Sequence, residues 1–121
     1  HFSRKEEHFF DRVTFYLTPY NATILRKTSM EALSDVPDGY LDFVYIDASH
    51  MYEDVKGDIV GWNNKVRSGG IVSGHDYFSD SRFQVQQAVD EYVIEYGIRP
   101  WYLTGEKRTK TITKSWFWVK K

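Results

Sequence analysis

Two apolar segments, each followed by polar residues and joined by an amphipathic helix, constrain the fold of this chain most strongly. The first segment, Leu41–Ile46, is rich in aromatic and branched residues and predicts a central strand buried on both faces. The second, Ile71–Ser73, predicts a short neighbouring strand. The helix between them is predicted over Tyr52–Val66 and ends before Gly69 and Gly70. A strand–helix–strand unit of this kind is typical of a parallel sheet in an α/β fold.

The other segments extend this pattern to a mostly parallel sheet with a C-terminal antiparallel hairpin and helices on both faces. With 121 residues, the chain has the size of one small domain, which we place over residues 1–121. The further predicted elements are a helix over Phe2–Leu17, a strand over Ala22–Lys27, a helix capped by Ser29, a helix over Phe83–Tyr96, and a hairpin of Pro100–Thr104 and Ser115–Val119 joined by the basic loop Glu106–Lys114.

The charge balance and the absence of cysteine exclude several functional classes. There are 16 Lys and Arg against 17 Asp and Glu, which argues against binding to nucleic acid or to an anionic membrane through bulk charge. With no cysteine, the chain has no disulfide, thiolate zinc site or cysteine nucleophile. No apolar run is long enough to span a bilayer, and the chain does not open with a signal-like segment. We therefore expect a cytoplasmic protein.

Polar side chains follow both strands of the strand–helix–strand unit. Asp47 and His50 come directly after the first strand, and His75 and Asp76 follow the second after Gly74. Neighbouring strands lie about 4.8 Å apart, so we expect Asp47, His75 and Asp76 to converge at one edge of the sheet. This group suits a divalent cation such as Mg²⁺ or Mn²⁺, and it could also act as acid and base without a metal.

Several of these residues have a purely structural alternative. Asp47 could cap the following helix, and the His50 ring could bond to backbone at the helix start. Asp58 is expected to be exposed or salt-bridged, and Trp62 to lie in the core or an interface. The His75-Asp76 pair at a strand end is harder to explain by packing, because a charged pair at that depth needs partners.

A resemblance to a known family is carried by the segment LDFVYIDASHMYEDVKGDIVGWNNKVRSGGIVSGHDY. It resembles the class I S-adenosylmethionine-dependent methyltransferases, and most closely their small-molecule branch, methyltransferase family 24. Three features support this resemblance: the IDxxH segment after the strand, Trp62 late in the helix before Gly69 and Gly70, and the GHDY sequence at the end of the next strand. The terminal KSWFWVKK is similar to the last strand of the family, so the resemblance covers roughly residues 20–121.

The resemblance implies a Rossmann-like sheet and methyl transfer to a small-molecule acceptor, with oxygen as the expected target. In metal-dependent relatives a cation at the ends of two adjacent strands lowers the pKa of the acceptor hydroxyl. Those positions correspond here to Asp47, His75 and Asp76. A histidine at position 75 departs from the catechol-type pattern, so a cation-free alternative stays open. In that case His50 or His75 acts as general base and Asp76 completes the catalytic group.

The resemblance also implies where S-adenosylmethionine binds. In related enzymes the adenine lies against the loop after the strand that precedes LDFVYI. Ser29 could bond the base and Met30 could pack on its face. The residues predicted to contact the cofactor are Thr28, Ser29, Met30, Asp47 and Ala48.

Two features of the family are missing from this chain. No G-x-G sequence occurs, and there is no acidic residue at the end of a second strand to hold the ribose. The chain therefore resembles the C-terminal portion of a family member, and we expect it to bind cofactor weakly or not at all by itself. Without its neighbouring strands, LDFVYI would be an exposed edge. We expect self-association through that edge, membership of a longer polypeptide, or a local rearrangement.

Two other functions stay open at the level of sequence. One is a non-catalytic methyltransferase-like remnant or interaction module, which the missing glycine loop favours. The other is a metal-dependent hydrolase using Asp47, His50, His75 and Asp76, although no HxH or HExxH spacing is present.

Overall fold

The computed structural model describes residues 2–105 and 114–121, so most of the predicted loop Glu106–Lys114 lies outside the described residues. The helices are α1 (Arg4–Leu17), α2 (Ser29–Ala32, followed by a 3-10 turn over Leu33–Asp35), α3 (Tyr52–Lys65) and α4 (Val85–Glu95). The strands are β1 (Leu41–Ile46), β2 (Val66–Gly74), β3 (Tyr102–Thr104) and β4 (Ser115–Val119). None of the helices in the described part is long and apolar enough to cross a membrane.

The four strands form one sheet in the order β1-β2-β4-β3. β1 pairs with β2 in parallel, with Val44 opposite Val72. β4 runs antiparallel to both β2 and β3, and Trp118 lies opposite Val72. The sheet is therefore mixed, with one parallel and two antiparallel pairings, and the prediction of a mostly parallel sheet was wrong.

The sheet has fewer parallel strands than predicted because the segment Ala22–Lys27 forms no strand. Its apolar residues Ile24 and Leu25 remain exposed. An extended segment becomes a strand only when a neighbour satisfies its backbone donors and acceptors. No described strand pairs with this segment.

β1 forms the edge of the described sheet and is not a central strand. Its side chains alternate between the two faces: Val44 and Ile46 pack against the core, whereas Phe43 and Tyr45 are 53% and 44% exposed. The prediction that this strand is buried on both faces was therefore wrong, since only one face of it is covered.

The core lies between the sheet and the helices α3 and α4. Apolar residues recur at helical spacing along α4 and face the sheet. The core side chains are Val55 and Ile59 of α3; Val85, Ala88, Val89, Tyr92 and Val93 of α4; and Val66, Val72, Trp116 and Trp118 of the sheet. On the opposite face, Phe43, Tyr45 and Tyr102 are exposed, and within the described residues no helix packs there. The expectation of helices on both faces is not met.

The ends of the helices differ from the predictions by a few residues. α1 begins at Arg4 because Ser3 caps it in a capping box with Glu6. α2 is capped by Thr28, one residue before the predicted Ser29. α3 ends at Lys65, before the two glycines, because β2 already begins at Val66.

Candidate functional site

The ends of β1 and β2 bring the polar residues that follow them side by side. Ile46 lies opposite Gly74 in the parallel pair, so Asp47 and His75 both leave the sheet at the same edge. The backbone amide of His75 donates a hydrogen bond to the carbonyl of Ile46 at 3.0 Å. A Cβ on Gly74 would lie 2.3 Å from Cζ2 of Trp116, so only glycine permits this close packing beneath the site.

Asp76 is the centre of the candidate site. Its Oδ2 lies 2.8 Å from Nε2 of His50, and its Oδ1 lies 2.9 Å from Nδ1 of His75. One buried carboxylate therefore lies between two imidazole rings. When Asp76 is ionised it can only accept, so Nε2 of His50 carries the proton of this hydrogen bond. Nδ1 of His50 is then the ring nitrogen able to accept a proton, whereas the approach of His75 to Asp76 is a close contact without hydrogen-bond geometry.

The backbone at Asp76 adopts an unusual conformation that makes this bridge possible. Its φ is 58°, in the left-handed region, where aspartate is tolerated better than most non-glycine residues. Such a conformation costs of order 1–3 kcal/mol and persists where the surrounding structure enforces it. The side chain of Asp76 is thereby held between His50 and His75.

His50 is held by the start of α4. Its ring packs against Phe83 with the ring centroids 4.4 Å apart. The carbonyl of His50 accepts a hydrogen bond from the amide of Gln84 at 2.7 Å, and Oε1 of Gln84 accepts one from the amide of Tyr52 at 2.8 Å. The His50 ring therefore bonds to a carboxylate, not to backbone as the structural alternative proposed. Asp47 does not cap α3 either, because the N-cap position is Met51.

Tyr77, the next residue after Asp76, has a structural role. Its hydroxyl donates a hydrogen bond to Oδ1 of Asp90 on α4 at 2.6 Å. Burial, and then the Asp90 carboxylate, raise the pKa of Tyr77 well above its ordinary value. Tyr77 therefore stays protonated and joins the site to α4 without serving as a base.

Three possible metal ligands lie together. One ligand atom each from Asp47, His50 and Asp76 lies within 4.8 Å of the others. His75, which the sequence places in the metal set, is not in this group, and its Nδ1 lies 2.9 Å from Oδ1 of Asp76. Two carboxylates and one imidazole fit a divalent cation, and the nitrogen ligand favours a metal such as Mn²⁺ or Zn²⁺ over Mg²⁺.

The residues predicted to contact the cofactor line two adjoining cavities beside β1. Thr28, Ser29, Met30 and Ala48 line one cavity of about 390 Å³. Asp47, with Ser29 and Ala48, lines the neighbouring cavity of about 260 Å³. The hydroxyl of Thr28 accepts a hydrogen bond from the amide of Glu31, so its side chain is already engaged in capping α2.

Asp58 and Trp62 of α3 belong to these cavities, and the sequence predictions missed them. Asp58 is 4% exposed and forms no salt bridge within residues 2–105 and 114–121, contrary to the prediction. Trp62 donates its indole N–H to Oγ of Ser29 at 2.7 Å. The sequence does contain a signal for the burial of Asp58, because this residue falls between Val55 and Ile59 on the buried stripe of α3.

The environment of Asp58 disfavours its charged form. Burial raises the pKa of this carboxyl, the neighbouring Asp54 adds to the rise, and a hydrogen bond from Ser29 acts in the opposite direction. Ser29 accepts a hydrogen bond from Trp62 and lines the same two cavities as Asp58.

Comparisons with known proteins identify a family and a fold for this chain. The profile of methyltransferase family 24, described as a methyltransferase domain, matches residues 2–77. An uncharacterized protein of Sinorhizobium fredii, y4gI, is 42% identical over 53 residues, which are 44% of this chain and 6% of that protein. A crystal structure of a Corynebacterium glutamicum protein superposes with a TM-score of 0.64 at 17% identity and covers 97% of this chain. The chain spans 57% of that neighbour's length.

The structural neighbour shares the fold with this chain at low sequence identity, so it supports the architecture alone. The family profile covers more than half of the chain and includes β1, α3, β2 and the residues of the candidate site up to Tyr77. The chain therefore belongs to methyltransferase family 24, the family that its strand-end motifs resemble.

Proposed function

We propose that this chain takes part in methyl transfer from S-adenosylmethionine to a hydroxyl oxygen of a small molecule. The observation that carries the proposal is the Asp76 carboxylate between His50 and His75, at a sheet edge beside two cavities. S-adenosylmethionine supplies an electrophilic methyl group on a sulfonium centre. The protein must then align the acceptor and remove its proton.

His50 is the residue we assign as general base. Its Nε2–H donates to Asp76, which leaves Nδ1 to take the proton of the acceptor hydroxyl. The Asp76 carboxylate orients the ring and stabilises the positive charge that the ring gains on protonation. General-base catalysis of this kind contributes roughly 10²–10⁴-fold to a rate. His75 is the alternative base, since its ring lies beside the same carboxylate, with Nδ1 2.9 Å from Oδ1 of Asp76.

A divalent cation held by Asp47, with His50 and Asp76, is the alternative way to activate the acceptor. A bound cation lowers the pKa of a coordinated hydroxyl, so a nitrogen base becomes less important. The two roles compete for the same atoms. If Nε2 of His50 binds a metal, it no longer donates to Asp76 at 2.8 Å.

The cofactor is assigned to the cavities beside β1. The larger cavity combines the Met30 thioether and Ala48 with the hydroxyls of Ser29 and Ser49. Its carboxylates are Glu53, Asp54 and Asp58, and among residues 2–105 and 114–121 no Lys or Arg lines it. An acidic lining suits a ligand that carries a sulfonium cation and disfavours one that carries phosphate.

Transfer of labelled methyl from S-adenosylmethionine to a panel of phenols, catechols and sugars tests this proposal. Because the chain by itself is expected to bind the cofactor weakly, the assay uses S-adenosylmethionine at saturating concentration. Transfer to a hydroxylated acceptor is then expected, and it should fall by about 10²-fold or more in His50→Gln and Asp76→Asn. Loss of transfer on chelation, with rescue by Mn²⁺, would assign the activation to the cation. A rate insensitive to chelation would assign it to His50. Transfer that neither substitution reduces would contradict the proposal.

A non-catalytic interaction module is the second candidate. The observation that favours it is the aromatic face of the sheet, where Phe43, Tyr45 and Tyr102 are exposed. Binding of S-adenosylhomocysteine without transfer to any acceptor in the panel would support this second function over the first.

A further inference from the structure

A further cavity lies at the opposite end of the sheet from the candidate site. The strand register places Trp116 opposite Gly74, next to the candidate site, and Trp118 two residues further along β4. The cavity bordered by Trp118, Tyr92 and Tyr96, which we call the basal cavity, has a volume of about 270 Å³. It lies where α3, α4 and β4 end, so it is separate from the site proposed for methyl transfer.

Two buried hydrogen-bond donors border the basal cavity. Tyr92 is 3% exposed and Trp118 is fully buried. Within residues 2–105 and 114–121, neither the Tyr92 hydroxyl nor Nε1 of Trp118 has a hydrogen-bond partner. Burial, together with the nearby Tyr96 and Glu95, raises the pKa of Tyr92 to about 12, so its hydroxyl keeps its proton at neutral pH. Because most buried donors in proteins are paired, a ligand that brings an acceptor would satisfy both groups.

The charged side chains that line the basal cavity in the described part of the chain are basic. Nζ of Lys120 donates to the carbonyls of Asn63 and Val66 at 2.8 Å each, where it offsets the negative end of α3. Arg99 and Lys121 are exposed at the rim and are the cations that can face a ligand. Among the described residues no Asp or Glu lines the cavity, so its charge favours an anion.

The walls of the basal cavity are aromatic and apolar. Tyr92 stacks on Trp118 with the ring centroids 5.5 Å apart, and Tyr96 packs on Tyr92 at 4.4 Å. Ile98 adds aliphatic surface. A bare anion would leave this surface in contact with water, whereas a flat ring would cover it. Pockets for drug-sized ligands measure about 300–1,000 Å³, so a cavity of about 270 Å³ suits a ligand with a single ring.

We propose that the basal cavity binds a small aromatic carboxylate. The carboxylate accepts hydrogen bonds from the Tyr92 hydroxyl and from Nε1 of Trp118, with Arg99 as its counter-charge, and the ring lies against Tyr96 and Ile98. This binding site goes beyond the proposed methyl transfer and does not depend on it.

Benzoate and benzamide test the proposal, because they share the ring and differ in the charge of the polar group. Each is titrated into the isotope-labelled chain, and binding is followed by the indole N–H signal of Trp118, which Trp118→Phe assigns. Benzoate should shift this signal at millimolar concentration and should bind about tenfold more tightly than benzamide, since hydrogen bonds to a charged acceptor are the stronger ones. The indole signal of Trp116, which packs against Gly74, should move much less.

Acetate is the third probe, because it carries the charge without the ring. It should bind more weakly than benzoate, since it leaves the aromatic wall uncovered.

Two substitutions in the basal cavity separate its donors from its charge. Tyr92→Phe removes a donor and keeps the ring, so benzoate should bind roughly tenfold more weakly. Arg99→Gln should weaken benzoate by up to about fivefold and leave benzamide unchanged. Arg12→Gln is the matched control, because Arg12 is exposed on α1, and both affinities should stay the same. Thermal unfolding of each variant checks that it remains folded.

The proposal is overturned by a Trp118 signal that benzoate does not move, by benzamide binding as tightly as benzoate, or by equal effects of Arg99→Gln and Arg12→Gln. Acetate binding as tightly as benzoate would contradict the aromatic part of the proposal. These outcomes are independent of methyl transfer, because the probes report on the opposite end of the sheet from His50 and Asp76.

Discussion

Nε2 of His50 lies 2.8 Å from Oδ2 of Asp76, across 26 residues of sequence and between the ends of two strands. The bond connects the segment after β1 to the segment after β2, the two places where ligands bind in sheets of this type. Through this bond, Asp76 orients the ring of His50, the residue that we propose as general base.

Replacing Asp76 with glycine should be less harmful than replacing it with alanine. Both substitutions remove the hydrogen bond to His50 and the contact with His75, and both variants must hold the backbone at φ 58°. Glycine adopts this left-handed conformation without the steric cost that alanine incurs. Left-handed geometry costs an ordinary residue about 1–2 kcal/mol, so Asp76→Gly should be more stable than Asp76→Ala by about that amount. Urea unfolding of the two variants measures the difference. Equal free energies of unfolding would mean that the backbone at residue 76 leaves the left-handed region in the Asp76→Ala variant.

Gly74→Ala should destabilise the protein, and Gly57→Ala should not. A Cβ on Gly74 would lie 2.3 Å from Trp116 and 2.8 Å from the carbonyl oxygen of Ile46, whereas a Cβ on Gly57 would meet only Met30 Sδ at 3.8 Å. Overpacking of this kind costs about 1–3 kcal/mol. In a helix, alanine is favoured over glycine by about 1 kcal/mol, so Gly57→Ala serves as the control. Thermal unfolding of both variants measures the two effects. An unchanged melting temperature in Gly74→Ala would contradict the close packing of Trp116 against Gly74.

Asp58→Asn should stabilise the protein at neutral pH. Burial raises the pKa of Asp58 above its ordinary value of 3.8 in the folded state. Its contribution to the free energy of unfolding is therefore fully present below pH 3.8 and is lost as the pH rises through the folded-state pKa. An amide does not ionise, so the advantage of Asp58→Asn should be largest at neutral pH and should disappear towards pH 3.8.

The comparison needs unfolding curves at several pH values with Asp11→Asn as control, because Asp11 lies exposed on α1. The control should show no gain in stability that grows with pH. A destabilised Asp58→Asn at neutral pH would show that the charged form has a partner strong enough to outweigh its burial.

We also propose that the chain self-associates through the free edge of β1. The strand is at the edge of the described sheet, and Phe43 beside this edge is 53% exposed. Phe43→Lys should weaken association by about tenfold, since a charge replaces apolar surface that would otherwise be buried. Sedimentation over a range of concentrations measures it, with Val60→Lys on the exposed side of α3 as control. A monomer at all concentrations would end the proposal.

The strands and helices around the site were predictable because local patterns specify them. Leu41–Ile46 and Ser115–Val119 were predicted with the bounds that the structure has, since compact apolar runs form strands in almost any buried setting. The prediction of a strand over Ala22–Lys27 was wrong because a strand also needs a neighbouring strand to pair with. Sequence periodicity does not say whether such a neighbour is present. For the same reason β1 was predicted to be central and lies at an edge.

By itself, the sequence determined that polar residues follow two adjacent parallel strands, because strand order and chain direction bring Asp47 and His75 to one edge. Only the tertiary structure decided the partners within that group. It placed His50, not His75, with Asp47 and Asp76, and it buried Asp58 beside Ser29. These contacts depend on side-chain directions and on packing between distant segments, which residue types and spacing do not encode.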